Sequence, residues 1–435
     1  MSEPKVWMVA VDMGYGHQRA AYPLKKFAYQ DKIITANNYE GIPASDRLIW
    51  ANDEKFYNFI SRFKSRGWLG RLAFNYIDRF QKIDEFYPLG RRTEPTAQLK
   101  GIYQRIKKGW GQHLIKKLNQ KLLPLITPFF TVAHMAEYWG YQGPIYLLVT
   151  DSDISRAWAP LEPAQSKICY LASTERVVGR LKEYGVLAEK IFYTGFPLPE
   201  ELVGPDSKIA KENLRRRLLT LDPLGQFKTA FGPVIENYIG SLKSPIGTAP
   251  TPTLAFAVGG AGAQVEIGCE ILGSLAKLLR EGKITIYLIA GVSEQAATKF
   301  NEAAKKLQLE EHLGKNLNII FTTSKEEYFQ QFNEMLSSVD ILWTKPSELS
   351  FYAALGLPIV IAPPVGSQEI QNRKWLLFLN TGLNQLNPKF AHQWLVDWIS
   401  NGHFAEMALE GFIKMERNGV ANIRQVLLKN QELKT

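Results

Sequence analysis

The sequence predicts two doubly wound α/β domains facing a cleft, and three observations carry that expectation. Short apolar runs alternate with helical patterns through the first half of the chain, a second strand-helix series opens at Thr253, and a stretch rich in Pro and Gly separates the two. At 435 residues the chain exceeds one ordinary core.

The strand-like runs of the first half are Val6 to Val11, Lys32 to Ala36, Phe129 to Ala133, Ile145 to Thr150, Lys167 to Ala172 and Lys190 to Thr194. Buried runs between helices imply a parallel sheet covered on both faces. From Leu218 to Pro252 the pattern breaks up at Asp222-Pro223, Gly232-Pro233, Ser244-Pro245 and Pro250-Thr251-Pro252, which reads as a linker or an irregular insertion. The second series runs through Thr253 to Val258, Thr285 to Ala290, Leu317 to Thr322, Asp340 to Thr344 and Pro358 to Ala362. The expected division is therefore 1–217, a linker or insertion at 218–252, a second domain at 253–403, and C-terminal helices over 404–435, broken near Gly419, that pack back toward the first domain.

Hydrophobic residues make up 46% of the chain and aromatics 12%, values of a globular rather than a disordered protein. Cys169 and Cys269 stand far apart with no clustered histidine beside either, so neither a disulfide framework nor a zinc site is encoded. The N-terminal residues lack a signal-peptide pattern, no apolar run approaches the ~18 residues of a membrane span, and a cytoplasmic location is the expectation. The net charge is +10, yet Arg47 to Lys121 alone holds 17 Lys and Arg against 6 Asp and Glu. Aromatics interleave with these bases, Trp50, Tyr87, Tyr103 and Trp110 among them. Anionic lipid headgroups, nucleic acid, or a solvated set of amphipathic helices would each account for that mixture.

Several strand-to-helix junctions carry chemistry. After the first strand, Asp12-Met13-Gly14-Tyr15-Gly16-His17 places a histidine at a helix start, where backbone N–H groups face an anion or a polarised hydroxyl. Gly259-Gly260-Ala261-Gly262 follows the first strand of the second series and suits a phosphate. Thr344-Lys345-Pro346-Ser347-Glu348 is another such junction, with Ser347 as the expected N-cap and Glu348 suited to a pair of sugar hydroxyls. Gln368, Glu369 and Asn372 lie just past a strand end. Sugar recognition and ordinary helix capping both fit these residue types, and the position favours the first. Asp151-Ser152-Asp153 has the form of a cation-holding pair, but the two-sheet pattern favours a metal-independent site, leaving Asp151 to orient His17 or the acceptor.

The ordered set of Gly16-His17, Ala133-His134, Val149-Thr150-Asp151 with Trp158, Thr194-Gly195-Phe196-Pro197, Gly259-Gly260-Ala261-Gly262, Thr344-Lys345, Gly356-Leu357-Pro358 and Ser367-Gln368-Glu369-Ile370-Gln371-Asn372 resembles the monogalactosyldiacylglycerol synthase-like glycosyltransferases. These are related to the bacterial enzyme that adds N-acetylglucosamine to the lipid-linked peptidoglycan precursor. The resemblance implies a GT-B fold and inverting transfer from a nucleotide sugar, usually UDP-linked, to a lipid acceptor by a peripheral membrane enzyme. It makes His17 the general base, with Asp151 beside it. Gly14, Gly16, His134 and Trp158 fall on the acceptor side. Gly259, Gly260, Gly262, Lys345 and Ser347 fall at the diphosphate, and Gln368, Glu369 and Asn372 at the sugar. The family's ribose-binding glutamate aligns with Phe351, and Glu348, three residues earlier on the same helical face, is the substitute. No cofactor beyond the donor, no metal and no nucleic acid partner are expected. The alternatives are a nucleotide-sugar epimerase or hydrolase of the same fold, and a non-catalytic protein binding RNA or anionic lipid.

Overall fold

The computed structural model describes residues 3–63, 83–90, 92–242, 250–259, 262 and 264–432. They form two compact units. Unit 1 comprises Met1–Leu198, Val365–Asn372 and Asn418–Thr435, and unit 2 comprises Pro199–Pro364 and Arg373–Arg417.

Unit 1 is built on a sheet of β1 (Val6–Ala10), β2 (Ala28–Thr35), β3 (Leu125–Thr127), β4 (Ile145–Leu148), β5 (Ile168–Ala172) and β6 (Ile191–Tyr193). The spatial order is β2-β1-β3-β4-β5-β6, and every pairing is parallel. Unit 2 repeats the plan with β7 (Thr253–Ala257), β8 (Thr285–Gly291), β9 (Leu317–Phe321), β10 (Ile341–Thr344), β11 (Ile359–Ile361) and β12 (Gly382–Asn384), in the order β12-β11-β10-β7-β8-β9. Its pairings are parallel too. The central strands are apolar on both faces, as with Leu254, Ala255, Phe256 and Ala257 of β7, because helices cover both sides, whereas edge strand β2 exposes Gln30, Asp31 and Lys32.

In each sheet the chain moves outward from its first strand and then returns to the opposite side. The strand order therefore reverses between β1 and β3 in unit 1 and between β7 and β10 in unit 2. Loops leaving the carboxyl ends of the strands diverge at such a point and open a crevice.

Three sequence expectations need correction. Phe129 to Ala133 is not a strand: β3 ends at Thr127, and Phe130–Tyr138 is a helix buried from Thr131 through Ala136. A short helix with no polar face has no periodicity to separate it from a strand. Residues 218–252 are not an irregular linker over most of their described length. Helix Lys208–Leu221 runs into them, and helix Gln226–Ile239 follows, its first N–H groups at Phe227 and Lys228 held by the Asp222 carboxylate at 3.1 and 2.8 Å. Pro233 sits inside that second helix on its exposed side, where water can take up the carbonyl that loses its partner. Unit 1 ends its first run of chain at Leu198, earlier than the expected boundary at 217. The three-residue strand β12 escaped notice altogether.

The basic, aromatic stretch 47–121 divides. Residues 64–82 and 91 lie outside the described residues. Of the rest, Trp50 and Trp110 are interior, their rings 4.7 Å apart, with the Arg105 guanidinium over Trp110 and paired to Asp53 at 2.7 Å. These tryptophans pack the core and are not available for insertion into a membrane. Leu48, Tyr87 and Leu89 are exposed, as is Leu122 just beyond the stretch.

Candidate active site

In unit 1 the turn after β1 is fixed from its flank. The Asp12 N–H donates to Asn37 Oδ1 at 2.9 Å, and Asn37 Nδ2 donates to the Asp12 carbonyl at 3.1 Å. Gly14 follows in the left-handed region at φ +83°, a conformation that costs any other L-residue about 1–2 kcal/mol. Helix Gly16–Ala21 then starts, and a 3-10 segment at Tyr22–Phe27 accommodates Pro23 in its first turn. His17, half-buried in the first turn of the helix, stands edge-on to Phe129 with ring centroids 4.8 Å apart and planes at 88°. Phe129 leaves β3, so this contact spans the reversal point of the first sheet.

Asp151 leaves β4. Its loop is tied down by Ser173 Oγ donating to the Asp151 carbonyl at 2.6 Å and by Thr174 Oγ1 donating to the Ser152 carbonyl at 2.8 Å. Asn372 is fully buried and belongs to unit 1. Its Nδ2 donates to Asp151 Oδ1 at 3.1 Å, and its Oδ1 accepts the Ser152 N–H at 2.8 Å. Asp153 is committed elsewhere, to a buried pair with Arg180 at 2.8 Å. An Asp-x-Asp in which one carboxylate grips an arginine lacks the open pair of a cation site. Among the described residues no group of three or more His, Cys, Asp or Glu side chains is arranged to hold a metal ion.

In unit 2 the glycine loop follows β7. A Cβ on Gly259 would stand 2.7 Å from Lys345 Cε and 3.4 Å from its Nζ, so the end of the lysine side chain lies directly against this residue and would have to shift to admit a larger one. Register explains the approach: Ala257 of β7 is opposite Thr344 of β10, which brings the following residues together at the second reversal point. Gly262, in the left-handed region, lies against Ser293, whose Oγ would be 3.0 Å from an added Cβ. Gln264 Nε2 donates to the Pro363 carbonyl at 2.7 Å, and helix Val265–Arg280 begins behind it. The head of this 16-residue helix carries partial positive charge, and Lys345 brings an ammonium against Gly259. Gly260 lies outside the described residues.

The segment after Lys345 is a 3-10 helix, Glu348–Leu355, rather than the expected α-helix. Ser347 stands at its N-cap position without a side-chain capping hydrogen bond, and Glu348 is buried in its first turn.

Four residues differ from their expected roles. His134 lies on the helix after β3, wholly buried, with Nε2 at 2.9 Å from the Ala157 carbonyl and Tyr103 and Phe130 around its ring. Burial pushes its pKa down to about 4. Trp158 is interior as well, packed on Phe130. Both side chains are closed off within unit 1 in this structure. Glu369 Oε2 accepts the Val365 N–H at 2.7 Å, which is capping chemistry at the start of helix Ser367–Phe378. Both ends of the Asn372 amide are engaged as described above. Gln368 is half-buried at the same helix start.

Asn37, Phe129, Gln264 and Ser293 support these junctions and were not singled out from sequence. Ser293 had a signal, since Ser-Glu after a strand is a helix-start pattern and Ser293 caps helix Glu294–Lys306. The others are brought in by tertiary packing.

Two parallel six-stranded sheets with flanking helices make this a protein of two Rossmann-like domains, the GT-B architecture. Comparison with solved structures bears on that fold. The chain matches a Staphylococcus aureus MnaA–UDP co-structure at TM-score 0.50 and 12% identity, covering 100% of this chain and 97% of the other. It matches Acinetobacter baumannii MurG at TM-score 0.50 and 13% identity, covering 98% and 99%. Residues 249–375 match the model of a domain of unknown function, DUF6938. No curated protein matches by sequence.

Proposed function

We propose that the chain is a nucleotide-sugar-dependent glycosyltransferase that moves a sugar from a UDP-linked donor to a lipid acceptor at a membrane surface, by inversion and without a metal. The observation that carries this reading is Gly259 lying against the Lys345 side chain at the reversal point of the second sheet. Such a seat meets the requirement of a diphosphate leaving group, whose developing charge the N–H groups and the ammonium would stabilise in place of a cation. Ser347 and Glu348 stand next to it in sequence and would contact the phosphate and ribose sides. Gln368 would reach the sugar. The MnaA co-structure holds UDP in a related fold, which supports the choice of nucleotide.

His17 would act on the acceptor. Inversion needs a hydroxyl deprotonated as it attacks the anomeric carbon from the face opposite the diphosphate, and an imidazole at a reversal point would suit that work. Gly14 and Gly16 keep the approach to it open, and Asp151 would orient the base or the hydroxyl.

Titration calorimetry with UDP in EDTA tests the donor half. Micromolar binding that is lost in Lys345→Ala is the expected result. Binding that appears only with Mn²⁺ or Mg²⁺ would overturn the metal-independent reading, and no binding of any nucleotide or nucleotide sugar would overturn the enzyme reading altogether. Transfer of labelled sugar into a lipid extract then separates a transferase from an epimerase or hydrolase.

A further inference from the structure

Asn372 falls, by resemblance, among the residues that would hold the donor sugar, yet its geometry assigns it other work. The side chain has no exposed surface. Its amide is used at both ends on one short loop, Oδ1 accepting the Ser152 N–H at 2.8 Å and Nδ2 donating to Asp151 Oδ1 at 3.1 Å. A sugar hydroxyl would have to enter a site closed to solvent and share an amide already bonded at both ends.

The two bonds act together. Ser173 and Thr174 hold the carbonyls of Asp151 and Ser152, bonds made to the backbone and not to the Asp151 carboxylate. Asn372 bonds the adjacent N–H and the carboxylate at once. An amide is suited to this because it offers an acceptor and a donor in one plane, whereas aspartate in its place would accept from Ser152 and repel Asp151.

We propose that Asn372 is a positioning residue that fixes the Asp151 carboxylate for the acceptor half of the reaction and does not read the donor sugar. This rests on the proposed function, in which Asp151 orients the base or the attacking hydroxyl.

The test uses the full chain, UDP, UDP-glucose and UDP-N-acetylglucosamine as probes, and release of UDP as the turnover assay. Asn372→Ala and Asn372→Asp should each lower kcat by about 10- to 100-fold, the loss expected when a reacting group is misplaced by about an ångström. KM and the dissociation constants of the probes should stay within twofold. In an Asp151→Asn background, Asn372→Ala should add almost nothing, because the two residues act as one unit. The inference is overturned if Asn372→Ala raises KM for the nucleotide sugar tenfold while kcat and UDP affinity hold, or if the losses at 151 and 372 multiply. If Asn372→Ala fails to fold, Asn372→Asp, which keeps the Ser152 bond, decides by the same split. Should the wild-type chain bind none of the probes, the proposed function itself fails and this assignment falls with it, an outcome distinct from a shift in KM.

Discussion

His17 and His134 show how environment sets what a residue can do. His17 is half-buried on Phe129 at a helix start, the position of the proposed base. His17→Ala should therefore lower turnover by about 10²- to 10⁴-fold while leaving the affinity for UDP unchanged, checked by steady-state kinetics beside calorimetry. Near-normal turnover in a folded variant removes His17 from the mechanism. His134, by contrast, is held neutral by its surroundings, with a pKa pushed down to about 4 from an ordinary value near 6.5. The unfolded chain takes up a proton at this position below pH 6.5 and the folded chain does not. The stability tied to the neutral ring is thus complete above pH 6.5 and is lost as the pH falls toward 4, reaching on the order of 3 kcal/mol. Urea unfolding of the wild type and of His134→Phe between pH 7 and 4 isolates this contribution. The two curves should converge as the pH drops, and parallel curves would contradict the assignment.

At the scale of elements, the site of unit 2 depends on a 3-10 segment held by a distant arginine. Arg217, on helix Lys208–Leu221, is buried and donates to the carbonyls of Val339, Leu355 and Leu336 at 2.8, 2.7 and 3.0 Å. Burial, and after it the charge of Arg216, pushes its pKa down to about 9, so it remains a cation at neutral pH. It clamps the end of segment Glu348–Leu355, whose beginning carries Ser347 and Glu348. Arg217→Met would remove these buried charge-assisted bonds, leaving the Val339 carbonyl with Arg216 only, and should destabilise the protein by about 3 kcal/mol. A fall in the urea midpoint at constant m-value checks it, and a change below about 0.5 kcal/mol would show the clamp to be dispensable. Gly259 and Lys345 illustrate the same dependence from the site outward, because neither is placed by its own loop alone. Parallel pairing of β7 with β10 sets their approach.

For the whole molecule, each sheet reverses order at one point, and the excess of basic residues lies in a stretch of the sequence outside both reversal points. The excess of bases in 47–121 should draw the protein to anionic vesicles. Because Trp50 and Trp110 are occupied in the core, that attachment should fall steeply with salt, with the exposed Leu48, Tyr87, Leu89 and Leu122 offering the described apolar contacts. Co-sedimentation with anionic and neutral vesicles across a salt series measures it. Steep, salt-dependent binding to single-stranded RNA without any to vesicles would replace the lipid surface with a nucleic-acid one.

The sequence by itself determined the two sheets and nearly every strand in them, because a strand covered on both faces is written as a short apolar run between helices. It also determined the junctions, since a glycine or a histidine between strand and helix is legible one residue at a time. Only the tertiary structure decided which side chains face a ligand. His134 and Trp158 fit the ordered motifs but are interior, and Asn372 is spent on Asp151. Gly259 meets Lys345, 86 residues away in the chain, only because β7 and β10 are neighbours in the sheet. The physical reason is the same in each case. Burial and hydrogen-bond partnership depend on strand order and helix packing, which are set by contacts between residues remote in sequence, and no local pattern records them.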